Sequence, residues 1–329
     1  MTKHYVKRLT LTAAVAVIVS TAWLGAASSA LASGSVFSIF SNCPLHAIEE
    51  KGVSPGAALC SYDQTTSGEF AIGSTKVPIN SGVNEGKTIT LEGGAIPTGN
   101  PDNEVEYFLI PGANGQSISK TELNVPAGLA GLINCEEITG EGLLEKLART
   151  TCKGVFESKL TGVTATTEIV ANSGNPAILN EYNLNREEGT AITLPVRVHL
   201  KNPLLGSSCY IGSESSPIQL LLTTGATSPE LPNTSIHGKR GTPETVEEYN
   251  EPLLHVKNNS LVDNAFSVPG VEGCGGLLSS ILDPVIDLKL KLPSADGNNT
   301  AILSGALNVT SAESLETVKR IKKEKGEEF

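Results

Sequence analysis

ITLPVRVHL, residues 192–200, sets Ile192, Leu194, Val196, Val198 and Leu200 on one side of an extended chain and Thr193, Pro195, Arg197 and His199 on the other. Side chains alternate across a strand with a period of two. The run therefore predicts a strand with one buried and one wet face, the habit of antiparallel sheets. Pro195 has no N–H for a ladder, which predicts an edge strand or a bulge. On the wet face beside Arg197, His199 reads as a solvated histidine. Ile286, Leu288, Leu290 and Leu292 alternate in the same way with Asp287, Lys289 and Lys291, predicting another strand.

Weaker strand signals fall around residues 69–79, 87–92, 105–110, 156–170, 218–224 and 301–310. Turn signals such as Asn100-Pro101, Asn175-Pro176, Asn202-Pro203 and Asp296-Gly297 lie between the runs. Residues 224–250, polar and with three prolines, read as a long exposed loop. Helical signal is sparse. EGLLEKLAR (141–149) predicts two turns with Leu143, Leu144 and Leu147 on one face, and CGGLLSSIL (274–282) a second short helix. The expected fold is all-β or mostly β, an antiparallel sandwich or irregular barrel with one or two short helices.

The N-terminus reads as an address. Lys3, Lys7 and Arg8 precede an uncharged run from Leu9 to Ala26, and Ala30-Leu31-Ala32 offers small residues for a peptidase. That order predicts a signal peptide, residues 1–32, cleaved after Ala32, and a secreted or envelope location. A β-rich extracellular domain over 33–310 would follow, in one or two modules. In the charged tail over 311–329, Leu315, Val318 and Ile321 could line one side of a short helix with Glu316 and Arg320 four apart, but a solvated, partly frayed tail is expected. No later segment is long and apolar enough to span a bilayer as a helix. Loss of three basic residues takes the net charge from −11 to −14, a balance that repels nucleic acid and anionic lipid. The single Trp and the single Met both lie in the leader, and scarce aromatics weaken a carbohydrate-binding reading.

Six cysteines remain: Cys43, Cys60, Cys135, Cys152, Cys209 and Cys274. An even number in an exported chain predicts disulfides, because nothing outside the cytoplasm keeps thiols reduced. Sequence does not fix their connectivity, although equal spacing suggests Cys43 with Cys60 and Cys135 with Cys152, leaving Cys209 for Cys274. A nucleophilic Cys209 would need a base, and no histidine lies near it in sequence. A zinc site would need a second ligand pair beside Cys43-Pro44-Leu45-His46.

NCPLHA (42–47), TTSGEFAIGSTKVPI (65–79), VRVHLKNPLLGSSCYIGS (196–213), VEGCGG (271–276) and GNNTAILSGAL (297–307) resemble a family of secreted proteins of high-GC Gram-positive bacteria. The resemblance implies export and a bacterial source, and carries no activity. It also implies that the sequons at Asn233, Asn258, Asn298 and Asn308 are unmodified.

Ser117-Ile118-Ser119-Lys120 matches the S-x-x-K of penicillin-recognising enzymes, with Ser173-Gly174-Asn175 and Lys239-Arg240-Gly241 in the right order for the companion elements. Against it, Val125-Pro126 interrupts the helix the serine should open, and Arg240 replaces a small hydroxyl residue. Leu231-Pro232-Asn233-Thr234-Ser235 resembles a sortase signal but lies far from the C-terminus and reads as a surface turn. No catalytic residue, metal ligand or cofactor pattern is assigned. The expected role is structural or binding, with a cell-wall or other envelope component as partner. A hydrolase with a non-local Ser/His or carboxylate site is the first alternative. An envelope β-barrel component is the second, disfavoured by the scarcity of aromatics for interface girdles.

Overall fold

The computed structural model describes residues 35–99, 105–115, 117–172 and 174–329. The leader and its cleavage site lie outside the described residues. The chain is mostly β. Its strands are β1 (Leu59–Ile72), β2 (Thr75–Ile79), β3 (Ile89–Pro97), β4 (Glu106–Pro111), β5 (Leu123–Asn124), β6 (Thr164–Ile169) and β7 (Ile178–Asn180). After these come β8 (Ile192–Asn202), β9 (Gly206–Ile211), β10 (Ile218–Leu222), β11 (Thr242–Glu248), β12 (Glu251–Asp263), β13 (Val271–Glu272) and β14 (Thr300–Ser311). The helices are α1 (Leu45–Glu50), α2 (Leu129–Leu132), α3 (Leu143–Glu157), α4 (Glu181–Arg186), α5 (Ser279–Leu290) and α6 (Ala312–Lys325).

All strands join one antiparallel sheet of fourteen, which runs β11-β12-β14-β1-β3-β4-β7-β8-β6-β5, with β2, β9, β10 and β13 attached beside this path. The two long strands at its centre are β1 and β8. Each is paired on both edges, β1 with β14 and β3, and β8 with β10 and then β9 on one edge and β7 and then β6 on the other. The halves they organise face each other across one apolar interior. Leu194, Val196 and Leu200 of β8 meet Leu261 and Leu307 there, and Leu282, Ile286 and Leu290 of α5 close the cluster. On the outer face of the β1 half, the short 3-10 helix Val36–Phe40, α1 and α6 cover a second cluster built on Phe37, Phe40, Ile96, Ile110, Leu315 and Val318.

β8 has the alternation its sequence implies, but it is a central strand. Val196 pairs with Ile218 of β10 on one edge and Ile169 of β6 on the other. The proline is tolerated because of its place. β7 pairs only as far as Thr193 and β6 begins at Val196, so Pro195 falls where one partner gives way to the next. Its carbonyl accepts from Val170 N, and the missing N–H faces that junction.

Ile286–Leu292, read as a strand, is instead the end of α5 and its cap. Leu278, Leu282, Ile286 and Leu290 are buried at a spacing of four, while Leu288, the residue that made the run look alternating, is 72% exposed. Asp283 accepts from the amides of Gly273 and Cys274, and Asp287 from Val271 N, so α5 holds β13 and the cysteine beside it. Burial raises both carboxyls above the ordinary range. Residues 156–170 are likewise divided between the end of α3 and β6, with the strand confined to Thr164–Ile169.

α3 is longer than the two turns expected, and its buried residues are Ala148 and Cys152. Leu143, Leu144 and Leu147 face outward. Within 224–250, Thr224 is fully buried and β11 occupies the second half, so only part of that segment is loop. The charged C-terminal segment is α6 rather than a frayed tail. Ser311 caps it by accepting from Ser314 N, and Leu315 and Val318 are fully buried. Lys322 is buried too, with its Nζ 3.0 Å from Glu328 O and 3.4 Å from Glu248 Oε1.

The cysteines form three disulfides, Cys43–Cys60, Cys135–Cys152 and Cys209–Cys274. The first ties the segment before α1 to the outer face of β1, the second ties α3 to the turn before it, and the third joins β9 to the entrance of α5.

Candidate functional site

The sheet contains a fork. Residues 117–119 lie along β3, where Ser117 O accepts from Glu92 N and Ser119 N donates to Thr90 O. A few residues on, the same chain has crossed to β6. Leu123 pairs with Ala165, Asn124 with Thr164, and Val125 N donates to Val163 O. Between these attachments the stretch diverges from β6, and among the described residues no strand lies on the outer edge of 166–169. At the opposite end β4 pairs with β7, and Leu109 N donates to Ala177 O. A cleft of about 910 Å³ occupies the gap, walled by Phe108, Leu109, Pro111, Ile118, Ile169 and Pro176.

The ladder register says which backbone groups face this gap. Val163 bonds toward β5, so Ala165, Thr167 and Ile169 present N–H and C=O on that same edge, while Val170 N turns to Pro195 O on the β8 side. Ala165 is met by Leu123. Thr167 and Ile169 have no backbone partner on that edge among the described residues. On the other rim Ser117 and Ser119 point to β3, so Ile118 and Lys120 point into the cleft. Lys120 is exposed and has neither an ion pair nor a hydrogen bond among the described residues.

Around the edge of β6 the cleft reaches the outer face of the β8 half, where polar side chains pack on one another. Thr166, His199 and Tyr210 are cross-strand neighbours on three adjacent strands. The His199 ring stacks on Tyr210 with centroids 4.5 Å apart, and its Nδ1 lies 3.6 Å from Glu168 Oε1. The other Glu168 oxygen accepts from Arg197 Nε at 2.9 Å, and that guanidinium sits over the Tyr210 ring. His199 Nε2 and Thr166 Oγ1 are buried without a hydrogen-bond partner among the described residues. His199 is therefore not the solvated residue its alternation implied, since its side chain is only 13% exposed. Nearby, Lys201 Nζ meets Glu122 Oε1 at 2.7 Å, which holds that carboxyl below its ordinary range.

A second polar feature lies deeper. Asp63 projects from β1 into an interior cavity of about 40 Å³ lined by Leu91, Ile118, Thr167, Val196 and Leu303. Burial pushes its pKa up to about 7. Ile118 and Thr167 line both this cavity and the cleft, so they form the partition between them.

Of the residues that sequence motifs singled out, Ser117 and Lys120 line the cleft, but on an extended segment bridged to β3 rather than at the start of a helix. Ser173 lies outside the described residues. Lys239 bridges to Ser260, and the Arg240 amide donates to Glu187. Asn233, in the sortase-like stretch, donates to Asn264 O and Asn299 O, a structural tie. His46 is exposed beside Glu50, and His255 Nδ1 lies 2.6 Å from Asn308 Oδ1. Among the described residues no three His, Cys, Asp or Glu side chains gather as a metal site, and no helix is long and apolar enough to cross a membrane.

Thr167, Ile169 and Glu168 went unmarked in the sequence because their role is positional. It follows from where residues 117–124 change partners, and no local pattern encodes that change. No family model, curated protein or solved structure matches this chain.

Proposed function

We propose that this is an exported, non-enzymatic binding protein whose cleft between β4 and β6 receives an extended polymer of the cell envelope. The cleft itself carries the proposal. It is a concavity of about 910 Å³ with apolar side chains along its walls, and its rims offer backbone groups and a lysine unpaired among the described residues, the mixture that ligand sites use. Three disulfides suit an oxidising compartment outside the cytoplasm, as do the leader-like N-terminus and the resemblance to secreted proteins of high-GC Gram-positive bacteria. The test is retention of the purified protein on soluble fragments of envelope polymers and on wall proteins. Ala171, an exposed residue lining the cleft, gives the control: Ala171→Trp fills the space without touching the core. Retention abolished by this substitution supports the reading. Failure on every fraction, or retention indifferent to the tryptophan, overturns it.

A second reading, a hydrolase, draws on one observation. Glu168 and His199 form an acid–imidazole pair, and the Nε2 beyond it is unsatisfied at the cleft. A base in a triad needs a hydroxyl within hydrogen-bond reach. Neither the Thr166 hydroxyl nor any other among the described residues bonds to this nitrogen, and the ring is clamped by Tyr210. Binding is therefore the better-supported function. A hydrolytic activity abolished in His199→Gln would reverse that order.

A further inference from the structure

We infer that the cleft takes the free C-terminal end of a partner polypeptide, added as a strand along β6 with its carboxylate at Lys120. This rests on the binding reading above and specifies its ligand.

The unpaired edge is the first reason. Thr167 and Ile169 present two N–H groups and two carbonyls to the cleft at the two-residue spacing of a ladder, while their β8 side is fully paired. An open edge of this kind is a template for another extended chain. A glycan offers hydroxyls at no such repeat.

Direction is the second. Every pair in this sheet is antiparallel, and β6 runs from the apex of the fork, at Ala165, toward Ile169. A strand added antiparallel to β6 therefore advances toward the apex. There it meets Leu123, already bonded to Ala165, and has no further edge to follow. The occupant has to end at this point, and what ends a peptide in that direction is its α-carboxylate.

Charge is the third. Lys120 stands between Ser119, held on β3, and Leu123, held on β6, which places it at the apex. The two other cations nearby are engaged, Lys201 with the Glu122 carboxylate and Lys87 with the Glu122 carbonyl. Of these three lysines only Lys120 has neither a carboxylate nor a carbonyl partner among the described residues, on a chain whose formal charge is −11. It complements a terminal carboxylate that would otherwise be repelled by such a surface.

The apolar walls supply the rest of the affinity. Alternate side chains of the added strand would meet Ile118 and Phe108 on one face and the Thr166–His199 surface on the other.

The experiment selects from a library of random seven-residue peptides with free C-termini, using the full-length protein. The selected peptides are then measured in four forms of the assay: unaltered, with the carboxyl amidated, against Lys120→Gln, and against Thr167→Pro. The proline removes the N–H that faces the cleft and no hydrogen bond of the β8 ladder. Amidation and each substitution are expected to weaken binding about tenfold, the effect of one charge-assisted or backbone hydrogen bond. Lys120 is exposed, so its variant decides the matter if the proline variant does not fold. Selected peptides that bind all four forms equally overturn the inference. Recovery of no peptide overturns it too. In that case, envelope glycan fragments that bind wild type and are blocked by Ala171→Trp would leave the cleft-binding reading standing, and their failure would remove both.

Discussion

The two halves of the sheet treat their outer faces in opposite ways. Behind β1, β3 and β4 the outer face is apolar and roofed by α1, α6 and the 3-10 helix at Val36–Phe40, with Cys43–Cys60 pinning the roof to β1. Behind β6, β8 and β9 the corresponding face carries Thr166, Glu168, Arg197, His199 and Tyr210, and the sheet beside it is split. One half is closed on both sides and builds stability. The other is closed only on the inside and leaves backbone groups unpaired, a cost that a folded domain tolerates where it binds something.

The difference can be broken first at the staples. Removing Cys209–Cys274, by Cys209→Ser with Cys274→Ser, opens a loop of 65 residues and is expected to cost about 4 kcal/mol in the chain-entropy model. Removing Cys43–Cys60, with a separation of 17, costs about 3 kcal/mol. Denaturant melts of the two double variants check the order. A smaller loss for the first would mean that α5 and β13 hold β9 without the bond.

Asp63 tests the interior between the halves. Its carboxyl titrates at about 7 in the folded state, raised by burial. The folded chain therefore binds a proton that the unfolded chain has already released. Stability is fullest below the unfolded carboxyl pKa near ~4, falls as pH rises, and levels off above about 7. Asp63→Asn removes that loss, which should reach roughly 4 kcal/mol. Melting temperatures of wild type and variant should converge near pH 4 and separate toward pH 7. Parallel curves would show that water or a cation already satisfies the acid.

Leu315→Ala probes the roof. This side chain is fully buried between α6 and the sheet, and its truncation is expected to cost about 3 kcal/mol. The matching change on the open half is Thr166→Val, which replaces a buried hydroxyl lacking a partner and should shift stability by less than about 1 kcal/mol, in the favourable direction if at all. A large loss there would mean that the hydroxyl holds a ligand or water in the native protein.

The closed half and the open half were unequally legible from sequence. β8 declared itself because its two faces differ in polarity along its whole length. The same period misled at Ile286–Leu292, where Ile286 and Leu290 are four apart and serve a helix equally well, and Leu288 is an exposed leucine between them. Leu278 and Leu282, continuing the four-residue spacing upstream, were the signal that decides for helix. α6 was half legible: Leu315 and Val318 mark a helical side, but the charges from Lys319 to Lys325 read as a solvated tail, and Lys322 rather than Ile321 completes the face that packs. The cleft was hidden for a different reason. Lys120 drew notice only inside a spurious catalytic motif, and Thr167 matters through a backbone N–H whose freedom depends on residues more than forty positions away.

Residue-resolved amide hydrogen exchange of the free protein tests the open edge most directly. The account predicts alternation along β6: the amides of Thr166 and Glu168, bonded to β8, exchange slowly, and those of Thr167 and Ile169 exchange fast. Uniform protection across residues 166–169 would mean that the edge is already filled, and would contradict the account.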